Sequence, residues 1–178
     1  MPSTPLFEEL DFRETPLGDL ILRRRTIQSL DELTVYEIIL GNGYLMSSLF
    51  TTVEVALSQL GLAAAGDAFG DEPLDVVVGG LGLGYTARAA LDHPGLRELL
   101  VVDYLAPVID WHQQGLVPLG PELTSDTRCH FILGDFFKLA LPDPGDPGFD
   151  PEQAGRKFHA ILLDSDHSPA SLIHERHG

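Results

Sequence analysis

Hydrophobic and polar positions change rhythm twice along the chain. Residues 1–17 mix prolines and acids with few apolar runs and predict a loose segment. GDLILRRRTI (18–27) and LTVYEIIL (33–40) are rich in β-branched and large apolar residues, and Gly-Asn-Gly at 41–43 leads into YLMSS. Runs of this kind, broken by turn chemistry, predict a small antiparallel β unit of about three strands. A helix follows. Thr51 and Glu54 have capping-box spacing, Val53, Ala56, Leu57 and Leu60 recur at helical intervals as a core face, and Gly61 and Gly66 mark its end.

From Asp75 the apolar residues fall into short continuous runs separated by helical patterns. DVVVGG is an unbroken run of the kind buried on both faces of a sheet. TARAALDH reads as a helix stopped by Pro94, ELLVVD (98–103) as a second strand, and APVIDWHQQG as a helix with Pro107 near its first turn. CHFILGDFF and FHAILLDSD supply a third and fourth strand. The stretch LPDPGDPGFDPEQAG between them predicts a loop without regular structure. Strands alternating with helices predict a parallel α/β sheet, and there is no internal repeat.

Composition narrows the function classes. At 178 residues the chain is the size of one domain with a small appendage, and 44% apolar content excludes wholesale disorder. The net charge of −16 argues against a nucleic-acid partner, which requires clustered Lys and Arg. Arg23, Arg24 and Arg25 form the one basic run, read as a solvated strand segment or as an anion contact. No apolar run approaches the roughly 20 residues of a membrane span, and MPSTPLFEEL lacks the basic and apolar regions of a signal peptide, so the expected compartment is the cytoplasm. The single cysteine, Cys129, excludes a disulfide scaffold and reads as a small core residue rather than a reactive thiol.

Four features carry chemistry. Gly79-Gly80-Leu81-Gly82-Leu83-Gly84 lies between a strand and a helix, where glycines admit a ligand to the backbone and to helix N–H groups. Asp103 closes the next strand, nineteen positions past Gly84, placed either to accept from ribose hydroxyls or to cap a helix. Gly134-Asp135 follows the third strand, where the carboxylate could meet an adenine amino group. Asp164-Ser165-Asp166-His167-Ser168-Pro169 ends the fourth strand, at the edge where α/β sheets collect ligands, although these are also ordinary turn residues. His174 and His177 have metal-ligand spacing but read as a solvated tail, and no metal site is expected.

The stretch VVVGGLGLGYTARAALDHPGLRELLVVDYLAPVIDW, with GDFF and HAILLDSDHSP, resembles the spermidine synthase-like proteins, polyamine aminopropyltransferases and relatives with the class I S-adenosylmethionine-dependent methyltransferase fold. The similarity extends upstream through YEIILGNGYLMSSLFTTVEVAL and covers most of residues 18–170. It implies a Rossmann-like parallel sheet preceded by a small antiparallel β unit, with residues 1–48 as that unit and 49–178 as the cofactor-binding domain. It also implies S-adenosylmethionine or its decarboxylated form as cofactor. Gly80, Gly82 and Gly84 would line the cofactor's amino-acid or propylamine portion, Asp103 would hold the ribose and Asp135 the adenine. Asp164 matches the first carboxylate of the family's Asp-x-x-Asp-Pro motif. The second is replaced by His167 and the proline falls one position later, at Pro169. The family's substrate-binding Gln and Tyr-His-Glu pattern has only approximate counterparts in Gln28, Tyr36 and Glu37.

The chemistry gives the last strand end its interest. An amine attacks only in its neutral form, and with a pKa of about 10.4 that form costs about 4.6 kcal/mol at pH 7. A positioned carboxylate or histidine removes the proton as general base, so Asp164, Asp166 and His167 are the expected catalytic group. The expected substrate is a small, cationic amine. Three alternatives remain: a small-molecule methyltransferase, a non-catalytic cofactor-binding relative, and an NAD-dependent oxidoreductase, disfavoured because the GGLGLG spacing and the Asp-rich strand end resemble the sulfonium family more. The family's fold continues past the Asp164 strand whereas this chain stops at Gly178. A segment of a longer product is therefore expected, with a homodimer covering the sheet edge as the other solution.

Overall fold

Two four-stranded sheets organise residues 6–143 and 145–164, the residues described by the computed structural model. The first is an antiparallel meander of β1 (Phe7–Thr15), β2 (Gly18–Ile27), β3 (Leu33–Leu40) and β4 (Gly43–Ser47). The expected three strands are thus four, because β1 occupies most of the segment expected to be loose. Its apolar content is low since its charges are paired across the ladder. Glu8 stands opposite Arg24 and binds it at 2.6 Å. Glu37, only 1% exposed, accepts from both Arg23 and Arg25. The arginine run is therefore a set of cross-strand partners rather than an anion site.

A long helix, α1 (Thr52–Phe69), leads to the second sheet. The expected capping box is absent, as Thr51 makes no side-chain cap bond. The helix also passes through Gly61 and Gly66 instead of ending there. A Cβ at Gly61 would lie 2.4 Å from Leu162, so this glycine lets the helix press onto the sheet. Ser58, Leu62 and Ala65 form the buried face, whereas Val53 and Leu60 are 78% and 72% exposed, against expectation.

The second sheet is parallel, in the order β7-β6-β5-β8, from β5 (Leu74–Gly79), β6 (Leu96–Asp103), β7 (Cys129–Leu133) and β8 (Ala160–Leu163). Every residue of β5 is buried, as its unbroken apolar run requires. α2 (Tyr85–Leu91) connects β5 to β6, and α3 (Ala106–Gln113), with proline in its first turn, and α4 (Gly120–Ser125) connect β6 to β7. The short α4 has no counterpart in the sequence reading. The expected strand through GDFF stops at Leu133, and Phe136–Ala140 forms α5 instead. At the opposite end of the sheet from the glycine loop, Asp75 is gripped by Arg97 and Arg156, and Arg156 also binds Glu98 and Asp150. No helix among the described residues is long and apolar enough to cross a membrane.

The strand order positions a site. From β5 the chain builds outward through β6 and β7, then returns to the other side of β5 to form β8. The sheet's topological switch lies between β5 and β8, and ligands of open α/β sheets bind outside the carboxyl ends there.

Candidate functional site

The loop from β5 to α2 opens at that switch. Gly80, Gly82 and Gly84 all take positive φ (101°, 49° and 92°), a region where residues with a Cβ are strained. Each missing Cβ also answers a close neighbour. At Gly80 it would lie 2.1 Å from the Asp164 carbonyl oxygen, at Gly82 2.6 Å from Met46 Sδ, and at Gly84 2.6 Å from Leu123 and 2.9 Å from His112. The three glycines therefore fold the loop against β8, β4 and the α3–α4 pair, respectively. Gly84 faces the helices.

Asp103 ends β6 beside this loop. Its Oδ2 accepts from Leu81 N–H at 2.9 Å and its Oδ1 from Leu105 N–H at 2.8 Å. The bond to Leu105 is a local turn contact rather than a cap, since the N-cap of α3 is Leu105 itself. Burial pushes the Asp103 pKa upward, and backbone N–H groups of Leu105, Leu81, Gly82 and Tyr104 pull it back. Of these four N–H groups Leu81 and Leu105 make the hydrogen bonds, and the residue is half-buried, so part of the carboxylate's roughly four lone-pair positions stays available.

Asp164 follows β8. Its N–H donates to the Gly79 carbonyl, extending the ladder, and its Oδ2 accepts from Thr86 Oγ1 at 2.5 Å. Asp135 ends the β7 turn and caps α5, with one oxygen accepting from Phe137 and Lys138 N–H. Asp103, Asp135 and Asp164 thus stand at the carboxyl ends of three of the four parallel strands. Among the described residues, N–H and O–H groups hold them and no arginine or lysine neutralises them. An edge of acceptors with unneutralised charge fits a ligand that carries hydroxyls and a positive charge. Asp166, His167, His174 and His177 lie outside the described residues.

Two residues at this edge escaped the sequence reading. Met46 comes from β4, and its sulfur accepts from Leu83 N–H at 3.1 Å, so the antiparallel unit closes one side of the glycine loop. His112, in α3 and fully buried, has Nε2 2.9 Å from the Gly82 carbonyl oxygen. A carbonyl only accepts, so Nε2 carries the proton and Nδ1 is a bare acceptor. That Nδ1 is sealed without a partner among the described residues. Burial lowers the His112 pKa, so the ring stays neutral where an exposed histidine would charge. Neither contact has a local signal, because each joins residues 30 or more positions apart.

The remaining sequence candidates are accounted for elsewhere. Glu37 is consumed by its two arginines, Tyr36 lies in the same sheet and Gln28 in the turn after β2. Cys129 is partly buried against the core, and burial pushes its thiol up to about 12, which leaves it protonated rather than reactive. The surface cleft lined by Arg88, Asp92, Glu122, Asp126 and Arg128 lies along α2, α4 and the turn into the amino end of β7, not at the carboxyl strand ends, and its arginines are paired with its acids.

The glycine loop and the carboxylates meet at the switch point of an open α/β sheet, the place where sheets of this class collect ligands. No protein-family model matches the chain. A polyamine aminopropyltransferase from Sulfolobus acidocaldarius is 27% identical over 108 residues, which is 58% of this chain and 32% of that protein. The crystal structure of spermidine synthase from Thermotoga maritima aligns with a TM-score of 0.62 at 14% identity, over 92% of this chain and 49% of that one. A spermidine synthase in complex with the transition state analogue AdoDATO aligns with a TM-score of 0.64 at 13% identity, over 88% and 47%. The chain therefore has a spermidine synthase-like fold over most of its length, as its sequence resemblance implied. It spans about a third of the curated relative and about half of each solved neighbour.

Proposed function

We propose that the chain forms the cofactor-binding part of a spermidine synthase-like transferase that moves an aminopropyl group from decarboxylated S-adenosylmethionine to a small amine in the cytoplasm. The observation that carries this reading is the row of unneutralised carboxylates around the glycine loop at the β5/β8 switch. The relatives' names favour aminopropyl over methyl transfer. In this proposal residues 1–48 form an N-terminal unit that closes the loop through Met46, and 49–178 form the cofactor domain.

Each side chain then has a definite task. Asp103 would accept from the ribose hydroxyls with the lone pairs its backbone donors leave open, and Gly80, Gly82 and Gly84 hold the loop that shapes the ligand's other end. Asp135 would bound the adenine side through its position after β7. When bound, the sulfonium supplies an activated carbon that an amine displaces, with the C–S electron pair leaving on sulfur. Asp164 would take the proton that the amine loses, oriented by the Thr86 hydroxyl. Asp166 and His167 follow it in sequence and are proposed to share that work. Incubation with decarboxylated S-adenosylmethionine and putrescine, followed by mass spectrometry, tests the proposal. Spermidine with an equivalent of methylthioadenosine is expected, and a methylated amine or unchanged reactants would refute it.

A further inference from the structure

One buried imidazole serves a single backbone group. His112, near the end of α3, donates from Nε2 to the Gly82 carbonyl at 2.9 Å, and its Nδ1 has no partner among the described residues. An apolar side chain would fill the same space without leaving a ring nitrogen unpaired. The fold makes room for this one. A Cβ at Gly84 would lie 2.9 Å from the ring, and a Cβ at Gly120 would lie 2.6 Å from the His112 carbonyl oxygen.

The bond has a counterpart on the same peptide. The plane between Gly82 and Leu83 aims its carbonyl at His112 and its N–H at Met46 Sδ, 3.1 Å away. A trans peptide sends these groups in opposite directions, so α3 and β4 grip one plane at both ends. Gly82, at a φ of 49° and without a Cβ, would otherwise let that plane turn readily. Its orientation decides whether the middle of the glycine loop turns an acceptor or a donor outward.

The His112 end of this grip depends on charge. A second ring proton would sit on Nδ1, which meets no acceptor, and the charge would be sealed from water. Burial lowers the pKa of the ring, and the Gly82 bond raises it by less. Among the described residues no carboxylate bonds the ring. Across the loop, Asp103 accepts from Leu81 and Leu105 N–H. On α4, Glu122 is exposed and bound to Arg88, and on α2, Tyr85 is hydrogen-bonded to Ser48. β7 offers the edge of Phe131 and the Cys129 thiol, and its His130 lies 3.5 Å from Glu98. On α3 itself, Asp110 is two positions back and so on another side of the helix.

We propose that His112 is the positioning residue of the glycine loop: while neutral it holds the Gly82–Leu83 peptide in its ligand-binding orientation, and once protonated it releases it. This rests on the reading of the loop as a cofactor site and deepens it, since ligand affinity would then fall in mild acid.

Calorimetry with decarboxylated S-adenosylmethionine at pH 7.5 and 5.0 tests it, on wild type, His112→Gln and His112→Leu, with urea melts confirming that each is folded. Gln offers the Gly82 carbonyl an N–H that does not titrate, and Leu offers none. At pH 7.5 His112→Leu should bind about fivefold more weakly than wild type, the scale of one neutral hydrogen bond, and His112→Gln should recover most of that loss. On going to pH 5.0 the wild type should lose at least about threefold more affinity than either variant, a comparison in which titration of Asp103 cancels. Full affinity in His112→Leu would overturn the proposal, as would equal pH dependence in wild type and His112→Gln. Hydrogen exchange of the ligand-free chain decides the same question without a cofactor. Protection of the Leu83 and Gly84 amides, corrected for intrinsic rate, should fall at pH 5.0 in wild type but not in His112→Gln, while Val77 in β5 stays protected. Unchanged protection at Leu83 in the wild type would overturn the proposal. Absence of sulfonium binding would instead count against the wider functional reading, and the exchange comparison would still decide this one.

Discussion

Thr86 Oγ1 donates to Asp164 Oδ2 across 2.5 Å, tying the second residue of α2 to the end of β8. The two residues are 78 positions apart, and the bond spans the switch point at which the parallel sheet reverses its order. It fixes one carboxylate oxygen, and under the proposed function the other takes the proton that the amine loses.

This relationship predicts a separation of chemistry from binding. Asp164→Asn should lower amine transfer by at least about a hundredfold, the usual scale of a general base, with sulfonium affinity unchanged. Thr86→Val removes a nearly buried donor and should cost about 1 kcal/mol of stability together with a smaller fall in rate. Steady-state kinetics and urea melts read the two effects. Full activity in Asp164→Asn would remove that carboxylate from the mechanism.

The glycines differ in what they would tolerate. Gly80→Ala places a Cβ against the Asp164 backbone at a φ of 101°, so neither partner yields cheaply. A loss of about 3 kcal/mol is expected, from strain and overpacking together. Gly82→Ala meets the flexible end of Met46 instead and should cost less, about 1–2 kcal/mol. Chemical denaturation of both variants checks the order.

His112 sets a pH dependence. Its folded pKa lies below the ordinary value of 6.5, so the unfolded chain binds a proton first as pH falls. The unfolded state is then favoured, and stability declines from about pH 6.5 downward, by at most about 1.4 kcal/mol per pH unit. His112→Gln should flatten this part of the curve between pH 7 and 5 in urea melts. An unchanged slope would mean that another group titrates there.

Much of this architecture was readable because burial leaves a local trace. The bounds of β2 and β3 follow from their apolar runs, and β5 from its continuous one, and the switch-point loop follows from glycines set between a strand and a helix. β1 was hidden because it is held by cross-strand charge pairs such as Glu8–Arg24, which look like solvated polarity in one dimension. The capping-box spacing of Thr51 and Glu54 was present without the bond: Thr51 makes no side-chain cap bond, and Glu54 Oε2 is sealed without a partner among the described residues. At the site, Asp103 and Asp164 were legible as strand ends, but Met46 and His112 reach the loop only through the fold.

The most direct test of the central claim is calorimetric titration of the chain with decarboxylated S-adenosylmethionine, S-adenosylmethionine and NAD. One-to-one binding of a sulfonium nucleoside is predicted, weakened at least tenfold, or about 1.4 kcal/mol, by Asp103→Asn. Binding of NAD with neither sulfonium bound would contradict the account.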